Sequence, residues 1–295
     1  FISMNPIAPS RLTPPDPLIP GGVYLCQVSD SVSCGACCGL YNCTGVSREQ
    51  IRRLLAHRTE QFAGVARNAD AIDDFRVRME RREQCERPYI DFYVCPFLGA
   101  IGPRRLRPGC LLHPLADGNA GIDYRGLSFY GGLACRDYFC PSYRNLPAAH
   151  KAIVKTACPD WYLYGLVITE EQLLAAIFAA IESRLGRPLV PAEVADRRPA
   201  RNALAELFGL KLCWPHRGPG WKGPANYFFN DGLYPRGPID YDRIDAPPSI
   251  HDRILHELGS SFASLPELRA AEALIEARID RLLRALASPA EIAAH

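Results

Sequence analysis

Cys34-Gly35-Ala36-Cys37-Cys38-Gly39-Leu40-Tyr41-Asn42-Cys43 places four cysteines in ten positions. The Cys-x2-Cys spacing turns two sulfurs toward one ion, and the small Gly35 and Ala36 let backbone amides approach those sulfurs. Adjacent Cys37 and Cys38 project in different directions and cannot pair with each other without strain. Vicinal thiols beside a Cys-x2-Cys are therefore poor disulfide design. They suit a site shared by two metals, or one metal with an auxiliary thiol.

Outward from this stretch the cysteines stay unevenly placed. Twelve occur in 295 residues, and only Cys158 and Cys213 lie beyond residue 140. Apolar residues make up 48% of the chain, enough to bury a core without the disulfides a small secreted domain needs. From Gly99 to Gly132 no apolar period repeats, and glycines recur throughout. An irregular stretch of this length needs an organiser other than burial. Cys95, Cys110, Cys135 and Cys140 bracket and punctuate it, so a bound metal accounts for both features.

The rest of the chain reads mainly as helix. Residues 1–25 carry Pro6, Pro9, Pro14, Pro15, Pro17 and Pro20 and predict an extended arm. Ser47-Arg48-Glu49-Gln50 is a capping box opening a helix with Ile51, Leu54 and Leu55 on one face. A second helix is expected from Asp70 to Arg82 through Ile72, Phe75 and Met79, then a short strand from Tyr89 to Val94. Thr169-Glu170-Glu171-Gln172 forms another capping box, followed by a stripe of Leu173, Leu174, Ile177, Phe178, Ile181 and Leu185 that ends near Gly186. Further helices are expected over Pro191–Leu207, Ile250–Phe262 and Pro266–Leu286, with a Pro/Gly/aromatic loop over 213–248. The fold class is α-rich, α+β with little strand. The Pro-rich arm (1–25) precedes an irregular, metal-organised cysteine domain (26–165), and a helical domain (166–295) follows.

Several function classes drop out. The formal charge of +2 gives no broad pull toward nucleic acid or anionic membrane. Arg76, Arg78, Arg81 and Arg82, then Arg104, Arg105 and Arg107, form clusters, but Glu80 and Glu83 interleave the first, and nucleic-acid binding is not expected. No run is apolar enough to span a membrane, no secretory signal is visible in the opening residues, and no glycine pattern forms a nucleotide loop. Cys213-Trp214-Pro215-His216 reads as structural loop, and a Cys–His nucleophile pair is the weaker reading. Cys26, Cys85 and Cys158 read as packing thiols by default, and His57, His150, His251 and His256 as surface or capping residues.

Four pieces of the first half carry a family resemblance: Cys34-Gly35-Ala36-Cys37-Cys38, Cys95-Pro96-Phe97-Leu98, Gly109-Cys110-Leu111-Leu112-His113-Pro114 and Cys135-Arg136-Asp137-Tyr138-Phe139-Cys140. In order and local wording they resemble the YkgJ-type cysteine-cluster family, described as a zinc- or iron-chelating domain. The likeness covers roughly residues 26–145. It implies metal binding and no particular reaction. The family's first cysteine falls where this chain has Ser31, and either Cys43 or Cys26 can supply the missing thiolate, with Cys43 favoured because one short loop returns it. The expected ligands are then Cys34, Cys37, Cys38, Cys43, Cys95, Cys110, Cys135 and Cys140, enough for two four-thiolate sites.

Both zinc and an iron–sulfur cluster accept four thiolates. Proline following Cys95, Cys140 and Cys158 recurs in ferredoxin-type runs, though its stiffness suits either metal, and Phe97, Phe129, Tyr130, Tyr138, Phe139 and Tyr143 read either as water-excluding neighbours of a redox cluster or as ordinary core; the balance leans toward iron–sulfur. His113, at Cys-x2-His spacing from Cys110, leans toward zinc if it coordinates. The chain is accordingly expected to be a cytoplasmic metal-binding or electron-transfer protein. A metal-dependent oxidoreductase or protein-modifying enzyme with an incompletely coordinated metal is the alternative. The helical half is expected to meet a protein partner.

Overall fold

Ser47 opens the first helix as its sequence predicts: its hydroxyl accepts the Gln50 amide at 3.2 Å, and the Gln50 side chain accepts the Ser47 amide at 2.7 Å. The computed structural model describes residues 19–43, 47–83, 86–131, 135–221 and 237–287. Helix α1 spans Arg48–Ala63 and α2 spans Ala69–Arg82, burying Ile51, Leu55, Phe62, Ile72, Phe75 and Met79. Asn68 rather than Asp70 caps α2, accepting the Ala71 amide at 2.9 Å.

The strand expected over 89–94 is not formed. Instead the buried Asn42 side chain holds this segment in a turn, donating to the carbonyls of Tyr89 (2.8 Å) and Phe92 (2.7 Å) while accepting the Tyr89 amide (3.1 Å). The strands lie inside the stretch expected to be irregular. β1 (Leu98–Ile101) and β2 (Arg107–Cys110) form an antiparallel hairpin that sets Leu98 opposite Cys110. Glycine hides this pair in the sequence yet its packing demands glycine: a Cβ on Gly99 would lie 2.5 Å from Thr59 Oγ1, and one on Gly109 2.1 Å from Ile101 Cδ1.

Six short or medium helices follow in sequence: α3 (Ser142–Asn145), α4 (Ala148–Ala157), α5 (Trp161–Val167), α6 (Glu171–Leu185), α7 (Pro191–Ala195) and α8 (Arg198–Phe208). α9 (Leu210–Cys213), α10 (Asp252–Glu257) and α11 (Leu265–Leu286) complete the described elements. The fold is α-rich with little strand. The single helix expected over 191–207 is two, because Pro199 has no amide to donate and fits only a first turn, so α8 begins there afresh. α10 is shorter than expected. Gly259 ends it with φ +71°, and a Cβ there would meet the Trp221 ring at 2.5 Å.

Thr169 is not the cap of α6. Its hydroxyl turns back to the Gly165 carbonyl, and Glu170 occupies the cap position with its carboxylate committed elsewhere. That carboxylate accepts Lys211 Nζ at 2.7 Å, and both side chains are fully buried. The stripe on α11 is buried as patterned, through Leu268, Ala271, Ile275, Ile279, Leu282 and Leu286. It seals against α8, where Arg278 and Arg281 also reach Glu206.

The boundary drawn at 165 runs through shared core. Leu25, Val32 and Tyr143 pack in one apolar cluster with Phe178, Leu204 and Ile275, and Trp161 and Leu166 pack with Ala36, Leu40 and Leu98. Of the expected arm, residues 1–18 lie outside the described residues. Residues 19–25 form a turn and a strap tied down by Tyr143, Lys151 and Tyr164: Leu25 donates to Tyr143 Oη (2.8 Å), its carbonyl accepts Tyr164 Oη (2.8 Å), and Lys151 Nζ donates to Gly21 O (3.4 Å). No single described helix is long and apolar enough to cross a membrane.

Candidate metal centre

Each cysteine segment is held by a local device. Ala36–Cys38 is one turn of 3-10 helix, and Gly39 closes it at φ +76°, where a Cβ would lie 2.2 Å from the Tyr93 carbonyl. That close approach lets Cys95 donate its amide to Cys38 O at 2.9 Å, so the vicinal pair and Cys95 are adjacent. Arg58, almost fully buried on α1, donates to the carbonyls of Cys95 (3.0 Å) and Leu98 (3.2 Å), and Glu83 holds it at 2.6 Å. The hairpin returns Cys110, and Leu111 donates to Phe97 O at 2.8 Å. A tight loop closes residues 26–34, with Cys34 donating to Cys26 O at 2.9 Å and Gln27 bridged to Ser33. Cys140 begins the turn into α3, its carbonyl accepting the Tyr143 amide at 3.0 Å. Cys135 lies 3.0 Å from Ser128 Oγ.

The Ala36 amide points at the Cys34 sulfur at 3.5 Å. Backbone amides two residues on also pull the thiols of Cys95 (Phe97), Cys110 (Leu112) and Cys140 (Ser142) toward the thiolate. An amide aimed at sulfur favours the thiolate over the thiol. Burial opposes it. Burial, with neighbouring sulfurs adding to it, pushes Cys26 and Cys110 up to about 12 and Cys140 up to about 11, and Cys34 and Cys95 are raised well above the usual thiol range. Cys37 and Cys38 share a proton: the hydrogen bond between them lowers Cys37 and raises Cys38. Cations stand near both ends, Arg58 beside Cys95, Arg125 beside Cys110 and Lys151 beside Cys140.

Seven of the eight expected ligands are free thiols. The eighth, Cys43, is disulfide-bonded, so it has no thiolate to offer, and the expectation that favoured it over Cys26 is corrected. Cys26 packs against the core as read, and it also lies beside Cys34, 3.2 Å from Tyr143 Oη. Among the described residues, no three or more His, Cys, Asp or Glu side chains converge closely enough to hold an ion as they stand. The sulfurs are neighbours rather than a closed cage.

His113 is half-buried and its Nδ1 accepts the Leu115 amide at 3.1 Å. Of the aromatic neighbours, Phe97 and Tyr143 are fully buried, whereas Phe129 is 66% exposed and stacks on Tyr93 at 4.4 Å. Cys158 is buried packing, and Cys213 is exposed with its thiol on the Gly209 carbonyl. Trp214 donates to Ser260 Oγ at 2.8 Å, which ties this part of the loop to the end of α10; residues 222–236 of the expected loop lie outside the described residues. His251 occupies the cap position of α10, as one of the two readings had it, and is buried against Glu276 at 2.5 Å, whereas His150 is not at the surface: it stacks on Phe178 at 3.9 Å and meets Glu182 at 3.0 Å. Arg76 is spent on Asp73 and Glu80, and Arg107 on Gln27, the Ser29 carbonyl and Asp30.

Arg58 and Asn42, and the hold of Tyr143 on Leu25, escape sequence reading because each acts through one side chain reaching across tens of residues. The signal for Cys26 was present: it is the nearest cysteine on the N-terminal side of Ser31. No family model, no curated protein and no solved structure matches this chain.

Proposed function

We propose that this protein binds metal through thiolates in its 26–140 region, with an iron–sulfur centre favoured and zinc the competing ion. The observation that carries this reading is the meeting of separate cysteine segments: the Cys95 amide on Cys38 O (2.9 Å), the Cys34 amide on Cys26 O (2.9 Å), Cys110 returned opposite Leu98 by the hairpin, and the Ala36 amide donating to the Cys34 sulfur (3.5 Å). A cysteine that merely fills space gains nothing from such a donor, whereas a thiolate ligand is stabilised and tuned by it. The donor chemistry fits: thiolates from separate short segments, few of which carry regular structure, with cations close by. Once bound, the metal supplies a soft Lewis acid or a one-electron centre. The protein's own residues hold the sulfurs, exclude water through Phe97 and Tyr143, and balance charge through Arg58, Arg125 and Lys151. The proline after Cys95 and Cys140 supports iron–sulfur over zinc. An enzymatic reading needs a general acid or base beside the thiols, and His113 spends Nδ1 on a backbone amide.

Anaerobic purification of the full chain, followed by iron, zinc and acid-labile sulfide analysis with a visible spectrum, tests this. A brown protein with iron and sulfide supports it. A colourless protein with stoichiometric zinc overturns the iron preference, and a chain that retains and takes up no metal overturns the reading.

A further inference from the structure

We infer that the thiols divide into two four-cysteine sets that part between neighbouring residues 37 and 38: Cys26, Cys34, Cys37 and Cys140 form one, and Cys38, Cys95, Cys110 and Cys135 the other. This rests on the thiolate-metal reading and assigns its ligands. Cys34, Cys37, Cys38 and Cys140 all pack against the central cluster of Ala36, Leu40 and Leu98, and on either side of it the two sets face different cores. Cys26, Cys34 and Cys140 pack against the helical cluster that contains Tyr143, Phe178 and Leu204. Cys95 belongs to the cluster of Phe62, Phe75 and Phe97, and Cys38 and Cys110 pack against it. The backbone makes the same division. Cys34 is bonded to Cys26, and Tyr143, bonded to Cys140, places its hydroxyl 3.2 Å from Cys26 Sγ. On the other side Cys38 is bonded to Cys95, whose turn is bonded to the residue following Cys110. Cys135, held 3.0 Å from Ser128 Oγ, is assigned to the second set because its charge acts on Cys95 and Cys110.

Cys37 and Cys38 stand at the seam, their side chains hydrogen-bonded to each other, and only Cys38 also packs against the cluster of Phe62, Phe75 and Phe97, so adjacent residues of one turn serve the two sets. The strap makes Cys26 available. Leu25 is held between Tyr143 and Tyr164, and the next residue is thereby delivered to Cys34. With Ser31 carrying no thiol and Cys43 oxidised, Cys26 completes the first set at four.

The test counts metal per full-length chain, as isolated and after titration with cobalt(II), whose thiolate absorption reports sulfur coordination. Wild type is expected to load both sets. Cys26→Ala and Cys38→Ala should each halve the loading, Cys43→Ala should leave it intact, Cys26→Ala/Cys140→Ala should match Cys26→Ala alone, and Cys26→Ala/Cys110→Ala should abolish it. Full loading in Cys26→Ala, or total loss in either single variant with helical circular dichroism retained, overturns the division. If Cys26→Ala does not fold, Cys43→Ala decides: intact loading upholds the assignment and halved loading overturns it. Failure of wild type to load any metal overturns the underlying reading instead.

Discussion

The helical half and the cysteine half are built by opposite means. In the former, long stripes on α6, α8 and α11 bury Ile177, Phe178, Leu204, Phe208, Ile275 and Ile279 against one another, and stability is spread over many replaceable contacts. In the latter, short turns hang on single polar side chains. Asn42 holds 89–92, and Asn119 donates to Leu111 O and His113 O while accepting from Arg67. Arg58 holds 95–98, and Arg107 holds the 27–30 loop. A region held by many weak contacts degrades gradually. One held by few strong ones fails at particular atoms.

The sharpest way to break the contrast is metal removal. Structural zinc sites contribute about 10–16 kcal/mol of apparent folding free energy, comparable to the whole net stability of a domain, roughly 5–15 kcal/mol. Chelation should therefore abolish hydrogen-exchange protection across 26–140 and leave α6, α8 and α11 protected. Uniform loss, or none, would erase the distinction. Next comes a place where the helical half behaves like the cysteine half. Glu170→Ala removes the carboxylate from a buried ammonium and should cost about 3–5 kcal/mol, read as a lowered denaturation midpoint, whereas Glu170→Ala with Lys211→Met should recover most of it.

Asn42→Ala leaves the carbonyls of Tyr89 and Phe92 without their donor and should cost about 1–3 kcal/mol. Its exchange signature should be confined to residues near 39 and 89–95. A global signature would mean that the turn is not an independent fastening. The smallest effect is expected at the α1 cap, where Ser47→Ala should cost about 1 kcal/mol in the same denaturation assay.

This contrast also explains what could be read from sequence. Periodicity reports burial, so α1, α2, α6 and α11 are visible in their apolar spacing to within a residue or two. The hairpin was hidden because Gly99 and Gly109 are present for close packing, and glycine otherwise signals irregular chain. The false strand at 89–94 had strand-like residues, but Asn42, itself unremarkable in sequence, claims the backbone groups a ladder would need. The false cap at Thr169 met the local rule and lost to a tertiary demand, the pairing of Glu170 with Lys211. Among the candidate ligands, types and spacing located the region, while the choice between Cys26 and Cys43 depended on a strap whose anchors lie more than a hundred residues away.

That strap bears on the order of events as a nascent polypeptide leaves the ribosome. Tyr143 and Tyr164, which seat Leu25, are made 118 and 139 residues after it. Until then Cys26 and Cys34 have no seat. Maturation of the full thiol array must await synthesis past Tyr164, and a ribosome stalled upstream would present these two sulfurs unguarded to oxidants.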